Sequence, residues 1–255
     1  MSEEKNLVPA VSRALRLMEL LFSEKEPKTL RELSEALDVP TASLFRILKE
    51  LRSAGYVTVL SGSPVRYAVG HRPFQLVAGY RSRFDSRGAL RPVMEELTAK
   101  TGQTAQYAIF QNGRFMYTEQ VLSASELNFI AQLYTPLEVN TSAGAKIILA
   151  SLPEEARDQY LEGITLHRRT AHTIDTMEGL KRELELSRER GFGLDLEEVA
   201  AGIGCMAVPI FNEDGSCHSA IGVTGHIEEY RDPESFRFIH DCLTEAAEKL
   251  RQRPW

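Results

Sequence analysis

The chain has 255 residues, 43% hydrophobic and 26% charged, a balance ordinary for a globular protein with one large or two modest cores. No apolar run reaches the ~18 residues of a membrane helix, and the start, MSEEKNLVPA, lacks a signal peptide's basic end and apolar stretch. Three cysteines, Cys205, Cys217 and Cys242, without C-x-x-C spacing exclude a disulfide framework or zinc ribbon and fit a reducing cytoplasm. The net charge of −6 hides an asymmetry: residues 1–84 carry 13 Lys and Arg against 9 Asp and Glu, the remainder 17 against 27. A basic head on an acidic body is compatible with a nucleic-acid partner for the head alone.

Residues 1–7 are polar and expected to be disordered. A helix begins at Pro9, with Val11, Ala14, Leu15, Met18, Leu21 and Phe22 as its apolar stripe. After a charged loop ending at Pro27, Thr29 and Glu32 stand at capping-box spacing. Leu30, Leu33, Ala36 and Leu37 then share one helix face, and Asp38-Val39-Pro40 stops that helix. A second helix follows with Leu44, Ile47, Leu48 and Leu51 inward. Thr41, Ala42, Ser43, Arg46 and Lys49 fall on or near its outward side. Such a pair either packs a core and reads nothing, or is a helix-turn-helix whose second helix enters the DNA major groove.

The flanks favour the second reading. Gly55 is placed to cap the second helix, and Tyr56–Leu60 and Val65–Val69 are β-rich runs around the turn sequence Ser61-Gly62-Ser63-Pro64. A hairpin directly after a helix-turn-helix is the layout of a winged helix, with Arg66 on the wing facing a phosphate or the minor groove, or else simply solvated. In the second helix, Ser43 and Arg46 are candidates for base or phosphate contacts, Arg46 alternatively pairing with Glu50. Thr41 could cap the helix while touching a phosphate, and Phe45 could meet a thymine methyl or seal the core. A basic connector helix opens at His71-Arg72-Pro73, with Phe74, Val77, Arg81 and Phe84 on one side as a packing or self-association surface.

Beyond it, Gly88–Lys100 reads as a helix capped by Gly102. The runs 103–110 and 114–121 form a hairpin about Asn112-Gly113. Residues 126–132 read as a third strand and 136–140 as loop. Helices are expected over 142–151, 153–161 and 176–190, the last ended by Gly191. Strands at 204–211 and 217–224 flank the turn Asn212–Gly215, and a final helix starts at Asp232-Pro233 with Phe236, Ile239, Cys242, Leu243, Ala246 and Leu250 inward. The body is thus an antiparallel sheet with helices, of class α+β.

Catalytic and metal constellations are missing. None of the six histidines is paired at i,i+4, and no G-x-S-x-G, G-x-x-x-x-G-K-[ST] or G-x-G-x-x-G occurs. Cys205 lies in the apolar run CMAVPI and reads as an inert buried thiol.

Several runs together resemble the IclR family of bacterial transcription regulators over essentially the whole chain. They are Leu33–Leu37, Ser43–Leu51, Gly55-Tyr56-Val57, Tyr67–Gly70, Pro136-Leu137, Lys146 with Leu149-Ala150, Arg190–Glu198, Gly202–Ile210 and Ile221–Gly225. The resemblance implies a winged helix-turn-helix head (8–70), a linker helix (71–84) and a GAF-like effector-binding body (85–253). It implies a regulator of catabolic genes, a repressor rather than an activator as the favoured sign, that binds double-stranded operator DNA, senses a small organic acid or aromatic compound, and acts as a dimer or dimer of dimers. It implies no cofactor, metal or membrane partner. Carried onto this chain, the family's effector pocket falls on Ala143, Gly144, Asp195, Ile203, Cys205, Gly222 and Thr224. Two positions depart from the family pattern: Ala145-Lys146-Ile147 replaces Gly-Lys-Ala, and Gly222 stands where Ser is usual. The alternative from another class is a small-molecule-processing enzyme whose N-terminal helices only mediate oligomerisation or protein binding.

Overall fold

A computed structural model describes residues 8–85, 90–125 and 129–251, with the backbone alone for 80–85. The expectations for residues 1–7 lie outside the described residues. The chain divides into two compact units, residues 1–86 and 87–255, each with its own core.

In the first unit, α1 (Pro9–Ser23) buries Leu17 and Leu21, while Val11, Leu15 and Phe22 are exposed. The expected stripe is therefore corrected in part: its Met18 and Leu21 pack in the core beside Leu17, while Val11, Leu15 and Phe22 do not. A two-residue strand β1 (Lys28–Thr29) leads into α2 (Leu30–Leu37). The capping box is formed, Glu32 N donating to Thr29 Oγ1 at 3.3 Å and Thr29 N to Glu32 Oε2 at 2.7 Å. Leu33 and Leu37 are buried but Ala36 is exposed. Asp38 takes a left-handed conformation (φ 53°), which turns the chain and sends Val39 into the core. Ser34 Oγ bonds Val39 O at 2.7 Å, and Arg16 Nη2 bonds Leu37 O at 3.1 Å, so the turn's free carbonyls are satisfied.

Helix α3 (Thr41–Ser53) begins directly after Pro40 and buries Leu44 and Leu48. Thr41 is its first helical residue, and no side chain caps the helix, which corrects the capping role expected of Thr41. Gly55, at φ +78°, lets Tyr56 N return to Leu51 O at 2.8 Å. Strands β2 (Val57–Leu60) and β3 (Arg66–Val69) form the wing hairpin, and β1 adds to it in the order β1-β3-β2. Helix α4 (Arg72–Asp85) closes the unit, with Phe74, Leu76 and Val77 exposed.

The second unit opens with α5 (Leu90–Thr101), whose Val93, Met94 and Leu97 are buried. Strands β4 (Thr104–Gln111) and β5 (Arg114–Val121) turn at Asn112-Gly113, both at positive φ. A 3-10 turn at Val139–Thr141 precedes α6 (Ala143–Ser151), α7 (Glu154–Glu162) and α8 (Met177–Arg190). Then come β6 (Gly193–Leu196), β7 (Ile203–Phe211), β8 (Cys217–His226), the short α9 (Ile227–Arg231) and α10 (Pro233–Arg251).

The sheet is antiparallel in the order β5-β4-β8-β7-β6. Alternation along β7 and β8 sorts its two faces. Met206, Val208, Ile221 and Val223 pack with α5 and α10. Cys205, Ala207 and Ala220 pack with α6, α7 and α8. The expected third strand is corrected: residues 126–128 lie outside the described residues, and 129–132 are irregular. Gln120 Oε1 accepts from Ala131 N at 2.9 Å, taking a donor a strand ladder would need. Residues 134–137 instead run along β5, with Tyr134 N on Tyr117 O and Leu137 N on Phe115 O, both at 2.8 Å.

Candidate functional sites

The outer face of α3 is polar and unpaired. Thr41, Ala42, Arg46 and Lys49 are exposed, Ser43 is half-buried, and Phe45 is 51% exposed, so Phe45 seals no core. Among the described residues no ion pair or hydrogen bond engages the side chains of Arg46 or Lys49, and the Arg46–Glu50 pair is not formed. Arg66 is different. Its Nη1 donates to Pro27 O at 2.9 Å and lies 3.8 Å from Glu32 Oε2, so the wing arginine is tied back to its own unit. Arg31, on α2, pairs with Glu35 at 2.8 Å. The free cationic side chains of the helix pair are thus on its second helix.

In the second unit a small cleft lies between the first turn of α6 and the sheet. It is lined by Ala143 and Gly144 from α6, Gln106 and Ala108 from β4, Tyr117 from β5, and Cys205 and Gly222 among residues of β7 and β8. Its volume is about 10 Å³. Four of the seven residues expected for an effector pocket, Ala143, Gly144, Cys205 and Gly222, are brought together here. Asp195 and Thr224 stand one bond behind: Cys205 Sγ donates to Asp195 Oδ2 at 3.6 Å, and the Thr224 hydroxyl lies 3.2 Å from Sγ and 3.0 Å from Gln106 Oε1. Ile203 is not among the lining residues; it pairs with His226 at the end of β7.

Why the chain folds so tightly here follows from its small residues. A Cβ on Gly193 would lie 2.1 Å from Ala143 O, and one on Gly144 would lie 3.0 Å from Ala108 Cβ. Only glycine lets α6 settle this close to the sheet. Ser142 caps α6 through Ala145 N, and its Oγ is 3.3 Å from the Tyr117 hydroxyl.

Behind the cleft lies a buried charge cluster. Lys146 is fully buried on α6, its Nζ bonding Leu194 O at 2.7 Å and Glu198 Oε1 at 2.6 Å. Asp195 is also fully buried; its Oδ1 accepts from Glu198 N at 2.6 Å and Val199 N at 3.4 Å. Burial pushes the Asp195 carboxyl up to about 6, against the opposing pull of the Glu198 amide and the Lys146 charge. Burial likewise raises Glu198 to about 7, with Lys146 opposing. Burial pushes the Cys205 thiol well up, with the Asp195 charge adding to it, so the sulfur is a neutral wall and no nucleophile. Tyr117, Gln106 and Ser142 escaped the sequence reading. An ordinary strand alternation or helix start carries no mark of a cleft; the β4–β5 register sets Tyr117 opposite Ala108, and the β4–β8 register sets Gln106 opposite Gly222. No group of His, Cys, Asp and Glu that could hold a metal is present among the described residues.

Residues 10–61 match the family described as IclR helix-turn-helix domain, and residues 78–252 match bacterial transcriptional regulator IclR C-terminal. The transcriptional repressor IclR of Escherichia coli strain K12 is 26% identical over 91% of this chain and 85% of its own length. The HTH-type transcriptional repressor AllR of the same strain is 27% identical over 85% of this chain and 79% of its own. An IclR homolog from Microbacterium hydrocarbonoxydans, crystallised with 4-hydroxybenzoate, has a TM-score of 0.78 at 20% identity, covering 96% of this chain and 98% of its own.

Proposed function

The chain belongs to the IclR family of bacterial transcriptional regulators, and from that premise we propose how its two units divide the work. As a DNA-binding regulator, it reads an operator with α3. Thr41, Ala42 and Ser43 at the helix start and Arg46 one turn on meet base edges and phosphates, Arg46 being the side chain suited to bidentate contact with guanine. Lys49 adds a phosphate contact, Arg66 adds one only on releasing Pro27 O, and Phe45 offers an apolar face to a thymine methyl. The observation that carries this reading is the free Arg46 and Lys49 beside the paired Arg31 and Arg66. Ion pairing would have to be broken before the latter two could serve DNA.

The cleft at the start of α6 is the effector site of the second unit, and its occupant is a small organic acid or aromatic metabolite. Support comes from the convergence of Ala143, Gly144, Cys205 and Gly222 on one cavity, backed by Asp195 and Thr224. The relatives named as repressors favour repression of catabolic genes as the sign. Two copies of residues 8–70 dock on two half-sites, residues 71–84 link each to its effector-binding body, 85–253, and effector occupancy shifts the equilibrium between operator-bound and free states. The molecule senses its effector and does not turn it over.

Two variants test the division. Asp195→Ala should leave operator affinity intact and blunt the effector dose–response. Arg46→Ala should do the reverse. An Asp195→Ala protein with the wild-type dose–response would remove Asp195 from the site.

A further inference from the structure

If the cleft is the effector site, as read above, its walls select among acids. Its volume of about 10 Å³ is the room of a single water. An aromatic ring needs far more, since a cavity of ~150 Å³ is of the size that holds benzene. Which wall could yield is decided by packing. The floor is sheet backbone and methyl groups: a Cβ on Gly222 would already stand 2.9 Å from both Ala207 Cβ and Met206 O. The α6 wall is pressed home at Gly144 against Ala108 and at Ala143 against Gly193. Of the larger lining side chains, Met206 packs on the other face of the sheet and Gln106 is held by the Thr224 hydroxyl and Gln120, which leaves Tyr117, on β5 and only 8% exposed. Its hydroxyl reaches the Ser142 Oγ, an atom already accepting from Ala145 N. Burial raises this phenol above its ordinary range, so it keeps its proton and can donate.

We propose that Tyr117 is the specificity-determining residue of the cleft. Its ring walls the side on which an aromatic acid would have to sit, and its hydroxyl, 3.3 Å from Ser142 Oγ, can turn to donate to a carboxylate of two or three carbons. Such an acid also needs more room than one water, and it enters by a partial displacement of the Tyr117 ring, because residues 134–137 tie the β5 backbone at Phe115 and Tyr117. A benzoate would have to expel the ring.

The test measures binding to the full chain by calorimetry and thermal shift, with acetate, pyruvate, benzoate and 4-hydroxybenzoate as probes. The wild type should bind acetate or pyruvate at least tenfold more tightly than either aromatic acid. Y117A should gain at least tenfold for benzoate or 4-hydroxybenzoate. Y117F fills the same volume and so guards against a folding failure of the alanine variant; it should keep the size preference and weaken the short acids about fivefold. Wild-type protein that takes benzoate as readily as pyruvate overturns the assignment of Tyr117 while leaving the effector site standing. So does a folded Y117A with no gain, or a Y117F with undiminished affinity. Failure of all four acids on all three proteins overturns the effector site as an acid site, and Tyr117's role with it.

Discussion

Arg46 and Arg66 carry the same charge in opposite circumstances. Arg66 is held by Pro27 O and Glu32, whereas Arg46 stands free on the outer face of α3. Removing Arg46 should therefore cost operator binding about 1–3 kcal/mol and relax specificity at one base position. Arg66→Ala should cost less, since its charge is already partly spent within the unit. Gel-shift titration of both variants against a selected operator checks the order, and equal losses would count against it. Asp195 makes a different prediction. Its carboxyl titrates near 6 in the fold against an ordinary 3.8, so the fold favours the protonated form. The stability this group contributes is full below pH 3.8 and is lost as pH rises to about 6, about 3 kcal/mol at one pKa unit per 1.36 kcal/mol. Glu198, raised likewise to about 7, adds a slope of the same sign at higher pH. Asp195→Asn, which keeps the acceptor for Glu198 N, should therefore reduce the slope in thermal unfolding without removing it; an unchanged slope would refute it. At this scale the sequence offers candidate residues but little of their state. Nothing in the letters around position 195 says that the aspartate is fully buried, because that burial comes from α6 lying over β6.

Elements were legible where one periodicity dominated. The capping box before α2, the glycine after α8 and the Asn-Gly hairpin all formed as their spacing predicts. Thr29→Ala should cost the first unit about 1 kcal/mol in chemical denaturation. Where two signals competed, the reading failed. In α1, apolar residues spread over a broad arc, and periodicity cannot say which part of it faces the core; the part through Leu17, Met18 and Leu21 does. Residues 126–132 read as a strand, but in the described part the Ala131 backbone donor goes to Gln120. The four-residue β6 was not anticipated, because a polar aspartate sits at its centre. Its glycine is nevertheless decisive for packing. Gly193→Ala places a methyl 2.1 Å from Ala143 O and should destabilise the second unit by on the order of 1–3 kcal/mol, read as a lowered melting temperature. A neutral result would mean that α6 is free to lift from the sheet.

For the molecule as a whole, the charge asymmetry read from composition gains a location, since the basic excess falls in residues 1–84, which include α3. Binding through 6–10 phosphate contacts by a pair of such heads should weaken about 10³-fold or more between 50 and 200 mM salt. The most direct measurement of the central claim is selection of DNA from a random pool by the full chain at moderate salt, run in parallel with the Arg46→Ala protein and with added short carboxylates. The account predicts a palindrome with half-sites about one helical turn apart, enriched by the wild type, weakened in the variant and changed in yield by the acid that fills the cleft. A pool that shows no enriched motif with or without the acids, or one enriched equally by Arg46→Ala, would contradict it.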